Sequence, residues 1–192
     1  MLINFTQKAI RELGIAELLV NRADERVAAQ SSEHTWYCTD LEIYTDATVI
    51  LLFHQETWFS YPIVCKNFRP DGVGDLIRDG LWKTLQAYEV PSASVEKFMD
   101  ASLQMLFVKG DNNKRVLGVM NSKKALAQHH VGRDRDEGKT EDWRKILLAT
   151  NYLPCGGPNY IFPEEEFVKK YGGRMRGSER MKFHLRLLPK EA

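Results

Sequence analysis

The run Val49-Ile50-Leu51-Leu52-Phe53 is the longest unbroken apolar stretch in the chain, and it narrows the folds available. It is far short of the ~20 residues needed to cross a membrane. Its β-branched, continuously apolar content is that of a buried strand, which Thr48 extends at the start. His54-Gln55-Glu56-Thr57 supplies a turn and Trp58 to Cys65 returns, so the segment predicts a hairpin. Pro62 has no N–H to give to a ladder, which makes the returning strand an edge strand or breaks it.

Around this hairpin, strand-like and helical patterns follow one another. Leu2–Phe5 reads as a short strand, Thr6 as the N-cap of a helix carrying Ile10 and Leu13, and Gly14 as its stop. Residues 16–32 predict a second helix and residues 36–44 a strand. After the turn Pro70-Asp71-Gly72, Ile77, Leu81, Leu85 and Tyr88 recur about every four residues with Trp82 alongside. Val95, Phe98, Met99 and Leu103 mark one more helix. Met105–Lys109 and Arg115–Val119 read as the strands of a second hairpin around Gly110-Asp111-Asn112-Asn113, residues that tolerate positive φ.

Further helices are predicted from Asn121 or Ser122 to about His130, and from Thr140 through Trp143, Ile146 and Leu147. The clearest runs from Pro163 to Tyr171. It has proline first, three glutamates in its first turn, two lysines in its last, and Gly172 beyond. Met181, Phe183, Leu185 and Leu187 alternate with Lys182, His184 and Arg186, a strand with one apolar and one basic face. Together these predict an α+β protein: a mainly antiparallel sheet built from hairpins, with helices packed against it. Residues 1–171 are expected to form one domain. Residues 172–192 are either a basic C-terminal extension, joined through a linker from Gly172 to Ser178 and ending in the 181–187 strand, or part of the same domain.

At 192 residues, 43% apolar and 28% charged, the chain has the balance of a globular protein able to bury a core without staples. Cys38, Cys65 and Cys155 are widely spaced and odd in number, which fits reduced thiols in a cytoplasmic protein better than disulfides or zinc. The N-terminus lacks the pattern of a signal peptide. The net charge of +1 hides a segregation: from Lys169 onward eight basic residues face two acids, which leaves the rest of the chain at −5.

Three features carry candidate function. Lys169, Lys170, Arg174, Arg176, Arg180, Lys182 and Arg186, with Lys190, could neutralise nucleic-acid phosphates, Tyr171 and Phe183 lying nearby to stack on bases. A solvated tail, or a basic face pairing with acids of the body, accounts for the same residues. Trp58, Phe59 and Tyr61, if they face outward, make an anchor patch for a protein partner or a second copy of the chain. If they face inward, they are core.

The third feature is the stretch containing His129-His130, Asp134, Asp136 and Glu137, which suggests a metal-dependent hydrolase or nuclease. Adjacent histidines point about 100° apart on a helix, however, and Arg133 and Arg135 would oppose a cation. A helix end running into an exposed loop fits better. Asp71 with Glu137 and Lys139 is a loose nuclease-like pattern at long spacing, and Cys155 in Leu-Pro-Cys-Gly-Gly-Pro lies in a turn motif. No catalytic residue, metal or cofactor is assigned. The expectation is a protein that acts by binding a protein or nucleic acid rather than by catalysis, with no membrane segment.

Taken together, "INFTQKAIRELGI", "ATVILLFHQETWFSYPIV" and "RVLGVMNSKKAL" resemble an uncharacterised bacterial family of small proteins, a domain of unknown function found in chromosomal and mobile-element genes. The resemblance covers roughly residues 1–130. Such proteins often carry cysteine where Phe5 stands here, and residues 16–35 look like an insertion relative to them. The resemblance implies a compact intracellular domain and brings no activity, cofactor or catalytic residue with it.

Overall fold

In the computed structural model of the chain, the apolar run lies in strand β3 (Thr48–His54), and its alternate residues enter two different cores. The structure describes residues 1–41, 48–65, 67–111, 113–136, 147, 149–151, 154–155 and 161–174. Strands β1 (Leu2–Phe5), β2 (Thr35–Asp40), β3, β4 (Ser60–Cys65) and β5 (Leu106–Lys109) make one sheet in the order β4-β3-β2-β1-β5. β2, β3 and β4 pair antiparallel, as the hairpin pattern requires. β1 lies between β2 and β5 and is parallel to both, so the sheet is mixed. The α+β class holds.

On one face, Ile50 and Leu52 join Ile3, Phe5, Trp36 and Cys38. This core is closed by helices α1 (Gln7–Leu13), α3 (Val73–Ala87), α4 (Ser92–Ser102) and α6 (Pro163–Tyr171); the four-residue α2 (Glu25–Ala28) belongs elsewhere. On the other face, Leu51 and Phe53 meet Val116, Met120 and Ala127 of α5 (Lys114–Asp136). An unbroken apolar strand is what a sheet covered on both sides demands. Trp82, expected beside the apolar stripe of α3, is 44% exposed.

Local signals account for most boundaries. The Thr6 hydroxyl accepts the Ala9 N–H, and Gly14 ends α1 at φ 63°. Pro62 lies on an edge strand, as its missing N–H requires. The same free edge is closed at Ser60, whose N–H and carbonyl both bond the Asn151 side-chain amide at 2.7 Å. At the opposite edge, the Val20 N–H donates to the Phe107 carbonyl and covers β5.

Three expectations are corrected. Residues 16–32 form two 3-10 turns and the short α2 in place of one helix. There the Asn21 and Asp24 side chains accept the Ala23 and Arg26 N–H groups and compete with a continuous helix. Arg115–Val119 is helix, not strand. Asn113 accepts the Val116 N–H with its side chain and the Leu117 N–H with its carbonyl, so the turn signal is a helix cap. α5 then continues through His129-His130 to Asp136, where a loop was expected.

The start of the expected linker is fixed in place. Gly172 caps α6 at φ 75°, and the Arg174 N–H bonds the Tyr88 carbonyl at 2.8 Å. A Cβ on Gly173 would fall 2.8 Å from that carbonyl oxygen, so the close approach needs glycine. The helix expected from Thr140 through Trp143 and the strand at 181–187 lie outside the described residues.

Candidate functional site

The turn between β3 and β4 is closed by two backbone hydrogen bonds, His54 N–H to the Phe59 carbonyl at 2.8 Å and Trp58 N–H to the His54 carbonyl at 3.0 Å. Closing it puts Trp58 at φ 56°, in the left-handed region. Glycine or asparagine takes that conformation readily, whereas a bulky side chain holds it at a cost of about 1 kcal/mol or more. The consequence is a division of neighbours. Phe59 enters the first core, stacked on Phe167 with ring centroids 4.1 Å apart. Trp58 turns to the other face, against Tyr37, Phe53, Val116 and Met120.

Above Trp58 lies an open cleft of about 440 Å³ lined by Gln55, Glu56, Trp58, Asn113, Arg115, Val116 and Ile161. The turn, the start of α5 and the segment at Ile161 each contribute a wall. The Arg115 guanidinium lies 4.9 Å from the centre of the Trp58 ring, a cation–π contact that holds the fork over the indole. Arg115 is exposed, and among the described residues no carboxylate pairs with it. Glu56 has its own partners: Lys170 Nζ at 2.6 Å and the Ser32 hydroxyl. Both hydrogen bonds hold the Glu56 carboxyl below its ordinary range.

A second cavity, of about 120 Å³, lies at the carboxyl ends of β1 and β5 beside Tyr37, Lys109, Gly110 and Asp111. Burial, and then the charge of Asp111, push Tyr37 up to about 12, and its hydroxyl donates to Asp111 at 3.1 Å. That volume is well below the few hundred cubic ångströms of ordinary ligand pockets. Behind the Trp58 cluster, α5 also buries Lys123, whose ammonium donates to the Thr150 carbonyl and lies 5.9 Å from the Phe53 ring. Burial lowers it to about 8. Its bond ties α5 to the helical residues 149–151, a structural task.

Residues 2–166 match the family described as a domain of unknown function (DUF6933). The chain belongs to that family. No curated protein matches it at a significant level. The match takes in every residue lining the cleft and ends before Lys169, where the basic segment begins. In this DUF6933 domain no helix among the described residues is long and apolar enough to cross a membrane.

The structure separates the residues singled out in the sequence. Of the outward patch expected from Trp58, Phe59 and Tyr61, Phe59 is core with no exposure, and Tyr61 is half-buried against Gly80. Trp58 alone reaches a cleft. Lys169 is exposed beside Glu166 at 3.9 Å, Lys170 is engaged by Glu56, and Arg174 is exposed. Arg176, Arg180, Lys182, Arg186 and Lys190 lie outside the described residues. The rings of His129 and His130 stand 6.0 Å apart, edge to face; the side chains of Asp134 and Asp136 and all of Glu137 lie outside the described residues. No group of three or more potential metal ligands occurs among the described residues. Arg115, the residue that completes the cleft, was hidden in the sequence by its reading as strand.

Proposed function

We propose that this DUF6933 protein acts by binding a protein partner, and that its recognition site is the Trp58–Arg115 cleft. One observation carries the reading. A tryptophan stands where the backbone favours glycine, with an exposed arginine over its ring at the mouth of an open cleft. Tryptophan and arginine are enriched at interface hot spots, and backbone strain concentrates at functional sites. Val116 and Ile161 supply apolar wall, while Gln55 and Asn113 supply hydrogen-bonding groups. Glu56, tied down in its ionised form by Lys170, is poorly suited to proton transfer near neutral pH, which favours binding over catalysis.

The test is NMR titration of isotope-labelled protein with a panel of short peptides. Binders are expected to shift the signals of Gln55, Trp58 and Asn113 to Val116. They should weaken at least about tenfold in Arg115→Gln, since a charge-assisted contact is lost at an exposed position that leaves the fold intact. Binders that perturb another surface and ignore Arg115→Gln would overturn the reading.

A second reading, nucleic-acid binding through the basic C-terminus, is supported by the charge segregation and by exposed Lys169 and Arg174 at the end of α6. Fluorescence anisotropy with DNA and RNA oligonucleotides decides it. Engaging about five phosphates should cost on the order of several hundredfold in affinity between about 50 and about 200 mM salt. Salt-independent or absent binding would retire it.

A further inference from the structure

We infer that the Trp58–Arg115 cleft selects an oxyanion on its partner: the carboxylate of an acidic side chain or chain end, or a phosphorylated side chain. This rests on the reading of the cleft as a protein-binding site and names what that site recognises. The first argument is charge. Among the described residues, two charged side chains line the cleft: Glu56 is neutralised by Lys170 2.6 Å away, whereas Arg115 has no carboxylate partner. The exposed charge that these two leave at the mouth is positive.

The second argument is placement. Lys114 and Arg115 occupy the first turn of a 23-residue helix that has no acid there. Cations at a helix N-terminus oppose the macrodipole, and the carboxylate just ahead of this turn, Asp111, already accepts the Asn113 N–H and the Tyr37 hydroxyl. An oxyanion in the cleft would add negative charge beside Arg115 itself.

The third argument is orientation. A guanidinium free in solvent samples many directions, but one held 4.9 Å from the centre of an indole ring has fewer open to it. Its N–H edge is then available for the paired hydrogen bonds that carboxylate and phosphate accept. Trp58 is only 7% exposed, so it serves as the platform and Arg115 as the contact. Val116 and Ile161 beside them suit an apolar residue adjacent to the anion.

Four capped tripeptides of the form Phe-X-Leu, with X as glutamate, phosphoserine, glutamine or lysine, test this by NMR titration at the Trp58 indole N–H. The glutamate and phosphoserine peptides are expected to bind at least about tenfold tighter than the glutamine peptide, and Arg115→Gln to erase the difference. Their ranking distinguishes carboxylate from phosphate. Should the glutamine peptide match the glutamate peptide while still shifting Trp58, the cleft remains a binding site and the oxyanion inference is wrong. A lysine peptide that binds tightest would overturn it too, because Glu56 would then govern recognition. If no peptide shifts Trp58 up to about 10 mM, a range in which even millimolar contacts register, both the inference and the binding reading fall.

Discussion

His54 and Trp58 stand at the two ends of one turn, and the chain treats them in opposite ways. His54 has no exposure, and its ring packs 4.7 Å from that of Trp36. Its Nδ1 accepts the Thr57 N–H, and its Nε2 lies 3.0 Å from the Glu33 carbonyl. A backbone N–H only donates and a carbonyl only accepts, so the imidazole is neutral with its proton on Nε2. Trp58 carries a strained backbone and opens on a cleft beneath the exposed Arg115. The contrast has a physical logic. Strain survives only where neighbouring structure over-determines it, and the satisfied His54 corner is the neighbour that fixes the turn.

The largest expected effect comes from the His54 end. Burial depresses its pKa to about 4, against about 6.5 in an unfolded chain. Below pH 6.5 the unfolded state takes up a proton that the folded state refuses. The stability His54 contributes is therefore complete above about pH 6.5 and is lost as pH falls toward 4, by up to about 3 kcal/mol. Urea melts between pH 4 and 7 should show this slope in the native protein and a clearly flatter one in His54→Gln. Equal slopes would mean that the corner is open to protons, and the contrast with Trp58 would collapse.

The two ends of the turn also differ in how they could be read from sequence. Pro62 announces an edge strand, and Thr6 and Gly14 announce both ends of α1, because each acts on its own backbone. The inward direction of Phe59 was not legible. Alternation says that Trp58 and Phe59 part company, but with helices on both faces of the sheet neither direction is simply outside. The cleft was hidden more deeply. It joins residues near 56, 115 and 161, and Gly110-Asp111-Asn112-Asn113 serves a hairpin turn and a helix cap equally well. The four-residue spacing of Val116 and Met120 on the buried face is the signal that favours helix. Lys123 and Asn151 show no pattern at all, since their partners are backbone groups brought near by the fold.

The smaller effect tests the strain directly. Trp58→Ala and Trp58→Gly both remove the indole from Tyr37, Phe53, Val116 and Met120, so both lose the same packing to within one methyl group. At an ordinary strand or helix position alanine would be the more stable of the two, because glycine loses more backbone entropy on folding. At φ 56° the order should invert: glycine relaxes into the left-handed turn and alanine cannot. Trp58→Gly is therefore expected to exceed Trp58→Ala by about 1 kcal/mol in chemical denaturation, even though both fall below the native protein. An alanine variant equal to or more stable than the glycine variant would show that Trp58 is unstrained. The turn would then be ordinary packing at both ends, and the binding proposal would lose the observation that carries it.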